Sequence, residues 1–325
     1  MKHLTILMVP AALMAMMAST AVGETAASIR SPQLGGVFEE QSRQIRLIEG
    51  IAGAASLGRV VATGAPVEQA WLAPQAKRAL VRLGGDAPRL ALIDWRNEVT
   101  IAGSDVLPAN ADAIAFSPSG VAFALLASNK VQVWSIDAGL IRLVWSADAP
   151  DSTAVAVDDG ASTVAMFGAG QLFIVDASGR NMPLQAMDAF GAMSFGYGSK
   201  QLAIAEANSA KVTIFSDVLG GASGEVVWDN GGERITDLSF SGDNRQLVIA
   251  TNTEQGGRVR VAALGGAKQF VVDTPVQIAN LLPAQGNAVF QLTSLAKGII
   301  YLIDADSDEP HLIAVPGIDS GVVNE

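Results

Sequence analysis

The sequence predicts an all-β fold, a β-propeller of four-stranded antiparallel blades, on three observations. They are a repeat of about 42 residues, four strand-like runs in each repeat, and no amphipathic helical stretch. Large apolar anchors recur at Leu72, Phe116, Val157, Phe195, Phe240 and Leu282, separated by 44, 41, 38, 45 and 42 residues. A second set, Ile93, Trp134, Val175, Phe215, Val261 and Ile303, follows 18 to 21 residues behind in every copy. Two anchors keeping step through six copies mark a structural repeat. After the first 23 residues, no segment holds apolar residues at helical spacing for three turns with a cap. A parallel α/β sheet is therefore disfavoured.

The chain opens with Met1-Lys2-His3 and an apolar run, Leu4–Ala18, followed by the small residues Ala21-Val22-Gly23. This is the pattern of a signal peptide over residues 1–23, since the run is shorter than the ~20 residues that span a bilayer. Residues 24–36, with Pro32 and a glycine pair, read as a flexible lead-in, and residues 37–325 as one propeller domain. There is no cysteine, so stability must come from burial, and 50% hydrophobic against 16% charged residues excludes disorder. The net charge of −11 disfavours nucleic acid as a partner.

Asp112–Gly139 is the clearest copy. Its apolar runs are separated by Ser117-Pro118-Ser119-Gly120, which supplies the residues a tight turn needs, and by Ser128-Asn129-Lys130, short enough to force a hairpin. The third runs of the copies (VQVW, LFIV, VTIF, IIYLI) are β-branched and aromatic, which favours strand. An isolated sheet of this kind would leave one apolar face wet. Packing the sheets around an axis buries both faces, which explains apolar second runs such as Leu202–Ala205.

The units resemble those of bacterial exported propellers with YVTN-type or Trp-Asp-type repeats. The shared pattern is apolar-x-Phe-Ser-x-x-Gly, then Leu-x-apolar-Ala, then Val-x-apolar-Trp, over about residues 66–316. It is best matched at Ala115–Gly120 with Val131–Ser135 and at Leu238–Ser241 with Gln246–Ala250. Asp94, Asp176 and Asp304 close third strands, as the Asp of the Trp-Asp pair does, and can accept N–H groups of the next turn. Trp228-Asp229 falls on a fourth strand and reads as packing, and the Gly-His element of eukaryotic Trp-Asp repeats is absent. Six copies are complete. Val37–Phe38 and Ile45–Ile48 look like third and fourth strands of a seventh, which Val322-Val323 in the tail would help to close; six blades is the alternative.

The residues offer little chemistry. His311, on an expected outer strand, is the one histidine after the leader, and zinc or copper would favour nitrogen or sulfur ligands. Calcium could use oxygen alone, at Asp148–Asp151, Asp158-Asp159 or Asp304–Asp308, though none has a complete calcium loop. Gly168-Ala169-Gly170 lacks the third glycine and the helix of a dinucleotide site. Trp134 and Trp145 read as packing, while Trp71 and Trp95, at strand ends, are more open. In related propellers the loops from fourth to first and from second to third strands gather on one face, where recognition residues commonly lie. The search area there is Asn129, Lys130, Asp151, Asn208, Lys211, Arg234, Glu254 and Arg258, with Asn252–Gly257 as the longest loop.

The expectation is an exported, non-catalytic propeller, periplasmic or extracellular and monomeric, with no cofactor. It would act as a binding scaffold for a protein, peptide or envelope component. The alternative is a lactonase-type hydrolase with an acidic, calcium-bound axial site.

Overall fold

A computed structural model describes residues 31–317 except 97–98, 104, 208, 210, 221–223, 230–232, 267 and 295–297. The leader, the first part of the lead-in and Val322-Val323 lie outside the described residues. Seven antiparallel sheets follow one another in chain order and close into a ring, a seven-bladed β-propeller. Blades 2 to 7 span residues 67–102, 113–148, 152–186, 190–229, 234–274 and 278–316, each with four strands in sequence order. Blade 1, residues 33–61, contributes three described strands. The first strands of neighbouring blades touch around the axis, and the fourth strands form the half-exposed rim.

Local chemistry accounts for each hairpin. In blade 3 the first turn closes through Gly120 N–H to the Ser117 carbonyl at 2.9 Å, and Gly120 sits at φ 69°, where a side chain would be strained. The next turn has Ser128 and Asn129 at φ 52° and 58°, the left-handed pair that a two-residue hairpin requires. Asp94, Asp176 and Asp304 end their third strands as expected. Their carboxylates accept N–H groups from Arg96, Ser178 and Asp306, each at 3.0 Å.

The core lies between blades rather than within them. The second strand of blade 3, Ala122–Ala127, is buried at all six positions, with even members facing blade 4 and odd members facing blade 2. Val157, Phe195, Phe240, Ile93, Val261 and Ile303 are each at most 2% exposed, so both anchor sets fill these interfaces. Trp134 stacks on Phe123 with 6.2 Å between centroids. Trp95, expected to be open, is instead 1% exposed between blades 1 and 2, close to Gly36.

The N-terminal strands differ from expectation by one position. The lead-in ends early, because a strand begins at Gln33 (Gln33–Glu39). The turn joining it to Gln44–Ile51 lies beside the start of blade 2, where Val67 N–H donates to the Arg43 carbonyl at 3.0 Å. In blades 3 and 4 the same bond joins a second-to-third turn to the next connection, Ala149 to Asn129 and Met187 to Gly170. These two strands are therefore the second and third of blade 1. Its outer strand is Ala54–Val61, a half-exposed stretch whose glycines and alanines hide the strand pattern. The position without a described strand is the innermost one. Blade 1 packs on blade 7 through Leu34 and Ile48 against Leu302, Ile313 and Val315, which closes the ring.

Candidate functional site

The two faces of the ring are built differently. On the face carrying the first-to-second turns, hydrogen bonds pass from blade to blade. Arg78 Nη1 donates to the Gly120 carbonyl at 2.9 Å, joining blades 2 and 3. Asp159 of blade 4 accepts Ser119 N–H from blade 3 and Gly198 N–H from blade 5, both at 2.8 Å. Asn244 pairs with both backbone groups of Tyr197, joining blades 5 and 6. Asn287 accepts Asp243 N–H, and Gln285 N–H donates to the Leu34 carbonyl, completing the joints from blade 6 through blade 7 to blade 1. A further joint is Asp158, which accepts the N–H groups of Ser162 and Thr163 at 2.8 Å and pairs with Lys200 of blade 5.

The opposite face carries the connections between blades and the second-to-third turns, and it holds two adjoining cavities at the channel mouth. One, about 380 Å3, lies among blades 5, 6 and 7, lined by Phe190, Arg234, Thr236, Asn252 and Gln277. The other, about 310 Å3, shares Phe190, Gly191, Thr236 and Ala279 with it and adds Asp237 and Asn280. β-Bulges create this relief. Five complete blades, all but blade 3, shift register in the first strand, as between Ile235 and Asp237 or Ile278 and Leu281. Each bulge lifts one residue off its partner strand at the mouth.

Around the larger cavity the polar groups are mostly committed. Asn252 exchanges two hydrogen bonds with the Ile278 backbone, and Gln277 donates to the Thr253 carbonyl. Glu233 pairs with Arg258 and Arg260 and accepts from Thr251. Burial pushes Glu233 up, but the Arg260 and Thr251 hydrogen bonds outweigh it and hold its carboxyl below the usual range. Arg258 also binds Asp273 at 2.6 Å, and Arg260 lies 4.7 Å over the Trp228 ring. The Arg234 side chain has no hydrogen bond or ion pair among the described residues. Asp237 accepts N–H groups from Leu238 at 2.8 Å and Leu281 at 2.6 Å. Burial raises its carboxyl to about 6 against the pull of those two donors.

The expected search area divides. Asn129 and Lys130 lie at the blade 3 hairpin tip, where Lys130 Nζ binds Asp148 at 2.8 Å, and Asp151 lies on the connection to blade 4, which Ala149 N–H ties to the Asn129 carbonyl. Arg234 and Arg258 lie on blade 6, and Lys211 begins the third strand of blade 5. Asn208 lies outside the described residues. Asn252–Gly257 is not a long loop: the ladder runs to Thr253 opposite Gly256, leaving Glu254 and Gln255 as a two-residue tip. Its glycines instead permit close packing, since a Cβ on Gly257 would come within 2.7 Å of Ile278, Thr274 and Val276. The longer connection is 103–112. Asp237, which the search area omitted, follows no loop signal, because a bulge within a strand brings it to the mouth.

The candidate acidic clusters are used internally. Asp306 accepts from Asn287, Asp158 and Asp159 serve the joints above, and Asp148 binds Lys130. Among the described residues no three His, Asp or Glu side chains gather as a metal-ligand set. His311 begins the outer strand of blade 7 and is exposed, with Nδ1 3.4 Å from Ser307 Oγ.

No family model matches the chain, and no curated protein is significantly similar to it. Two solved propeller structures share its fold. A functionally unknown protein from Desulfotomaculum acetoxidans superposes with a TM-score of 0.59 at 12% identity, covering 88% of this chain and 100% of its own. Hydrazine synthase from Kuenenia stuttgartiensis gives 0.53 at 13% identity, covering 89% and 98%. At these identities the likeness is one of fold alone.

Proposed function

We propose that this chain is an exported, non-catalytic propeller that binds a protein, peptide or envelope component on its cavity-bearing loop face. The observation that supports this reading is the difference between the faces. One spends its polar groups on joints between blades, while the other keeps relief, exposed hairpin tips and an unpaired guanidinium on a rigid frame. The signal-peptide pattern at residues 1–23 and the resemblance to bacterial exported propellers with YVTN-type or Trp-Asp-type repeats support export to the periplasm or beyond. The test is capture of a partner from the native envelope with wild-type chain, a loop-face variant (Lys130→Glu with Glu254→Lys) and a turn-face variant (Ser119→Ala). A partner lost only with the loop-face variant agrees with the reading. Equal capture by all three contradicts it.

The hydrolase reading has one specific observation in its favour, the Asp237 carboxylate at the channel mouth. It predicts turnover on a lactone panel that calcium stimulates and Asp237→Asn abolishes. The scaffold reading expects no turnover, and no calorimetric heat or melting shift with calcium.

A further inference from the structure

The two adjoining cavities hold one cation without a partner among the described residues and one carboxylate on the same strand. Arg234 and Asp237 are three apart, which in a regular strand would point them to opposite sides. The bulge changes this: Arg234 pairs with Asn252 and Asp237 with Ala250, so their partners are two apart and the pair shares a side. Two strand residues set the spacing along the strand at about 7 Å. Thr236, Gly191 and Ala279 line both cavities, as does Phe190, which is held by stacking on Phe167 at 5.2 Å between centroids. Both ends have spare capacity. The Arg234 guanidinium has no partner among the described residues, and each Asp237 oxygen accepts one N–H where a carboxylate oxygen can accept two.

We propose that this bipolar groove binds the free ends of a short peptide, its carboxylate on Arg234 and its ammonium on Asp237. A guanidinium takes a terminal carboxylate bidentately, and a desolvated carboxylate takes an ammonium. A single amino acid is too short, because its charges are only about one residue apart, whereas two residues at ~3.5 Å each match the spacing and a third is within the reach of the long Arg234 side chain. The floor of small residues and the Phe190 ring suit small apolar side chains. This site rests on the scaffold reading and gives it a ligand class.

The test is calorimetric titration of the full chain with trialanine, N-acetyl-trialanine and trialanine amide, at a pH well above the value of about 6 that Asp237 carries. Free trialanine should give saturable heat, with about tenfold weaker binding when either end is blocked. Arg234→Gln should erase the preference for acid over amide while keeping the preference for the free amine. Asp237→Asn should do the reverse, with its melting transition followed to establish that it folds. Equal binding of blocked and free peptides, an unaltered preference in Arg234→Gln, or no saturable heat would each overturn the proposal. Envelope-partner capture with no trialanine heat would overturn this inference and leave the scaffold reading intact.

Discussion

The turn face and the loop face of this ring use the same residue types for different ends. Asp159 and Asn244 on one face and Asp237 and Asn252 on the other all bridge neighbouring blades by accepting backbone N–H groups. On the turn face such bridges sit on tight turns, and they leave little polar capacity unused. On the loop face they sit beside bulges, where the same bridging leaves cavities and a spare cation. On the proposed reading, this ring separates stability from recognition by where along the first strand the ladder is regular.

The blade interfaces serve both faces, so breaking one should have the largest effect. Phe240, 1% exposed between blades 5 and 6, cannot accommodate a carboxylate without partners. Phe240→Asp should give no soluble folded protein; a soluble variant with an unchanged melting transition would contradict the blade packing. Next is Asp158→Ala on the turn face. It strands two N–H donors and Lys200, and loss of such a partly buried network costs about 2–4 kcal/mol. For a chain of this size that is roughly a 3–7 °C fall in Tm by calorimetry. The matched change on the loop face, Arg234→Gln, removes no described contact and should leave Tm unchanged.

A third prediction concerns the innermost position of blade 1. The connections 149–151, 187–189 and 275–277 each lead into a first strand after three residues. A three-residue connection after Pro316 would end at Asp319, and the expected Val322-Val323 strand falls just beyond. If that segment completes blade 1, removing residues 318–325 should lower Tm by several degrees and leave far-ultraviolet dichroism nearly intact. Identical melting of full-length and shortened chains would break the assignment.

Much of the frame could be read from the residues because its determinants are local and repeated. Gly120, the Ser128-Asn129 pair and the three strand-ending aspartates sit where their turn chemistry places them. Blade 1 is offset by one strand from the expectation because Ala54–Val61 lies on the rim and buries little, so it carries no apolar signature. The loop face was less legible. Arg234 and Arg258 lie where loop reasoning put them, yet Asp237 was invisible, since a bulge depends on the pairing of two strands and leaves no mark in either one. Asn252–Gly257 erred the other way: glycines that suggest a loop are there for close packing of one blade on the next.

Asp237 also makes the loop face pH-dependent. Its carboxyl is raised to about 6 in the folded chain from an ordinary value near 3.8, so the folded state binds the proton more tightly. The stability contributed by that proton is fully present below pH 3.8 and is lost as pH rises through about 6. Because part of the carboxylate faces the channel, the change should be only a few degrees in Tm. The difference in Tm between Asp237→Asn and wild type should drift across that window. A constant difference would mean that the carboxylate is as well solvated folded as unfolded.

The smallest effect should come from Lys130 at the blade 3 hairpin tip. Its bond to Asp148 is short at 2.8 Å and lowers the Asp148 carboxyl, first through the hydrogen bond and then through charge. Even so, the Lys130 side chain is 55% exposed and that of Asp148 83%, so water and salt screen the pair. Lys130→Ala should leave Tm unchanged at physiological salt, because the hairpin is held by the left-handed Ser128-Asn129 turn and its ladder rather than by the pair. A measurable fall that vanishes in high salt would show that this tip stabilises the frame. The separation of the two faces would then be incomplete at blade 3, the one complete blade whose first strand has no bulge.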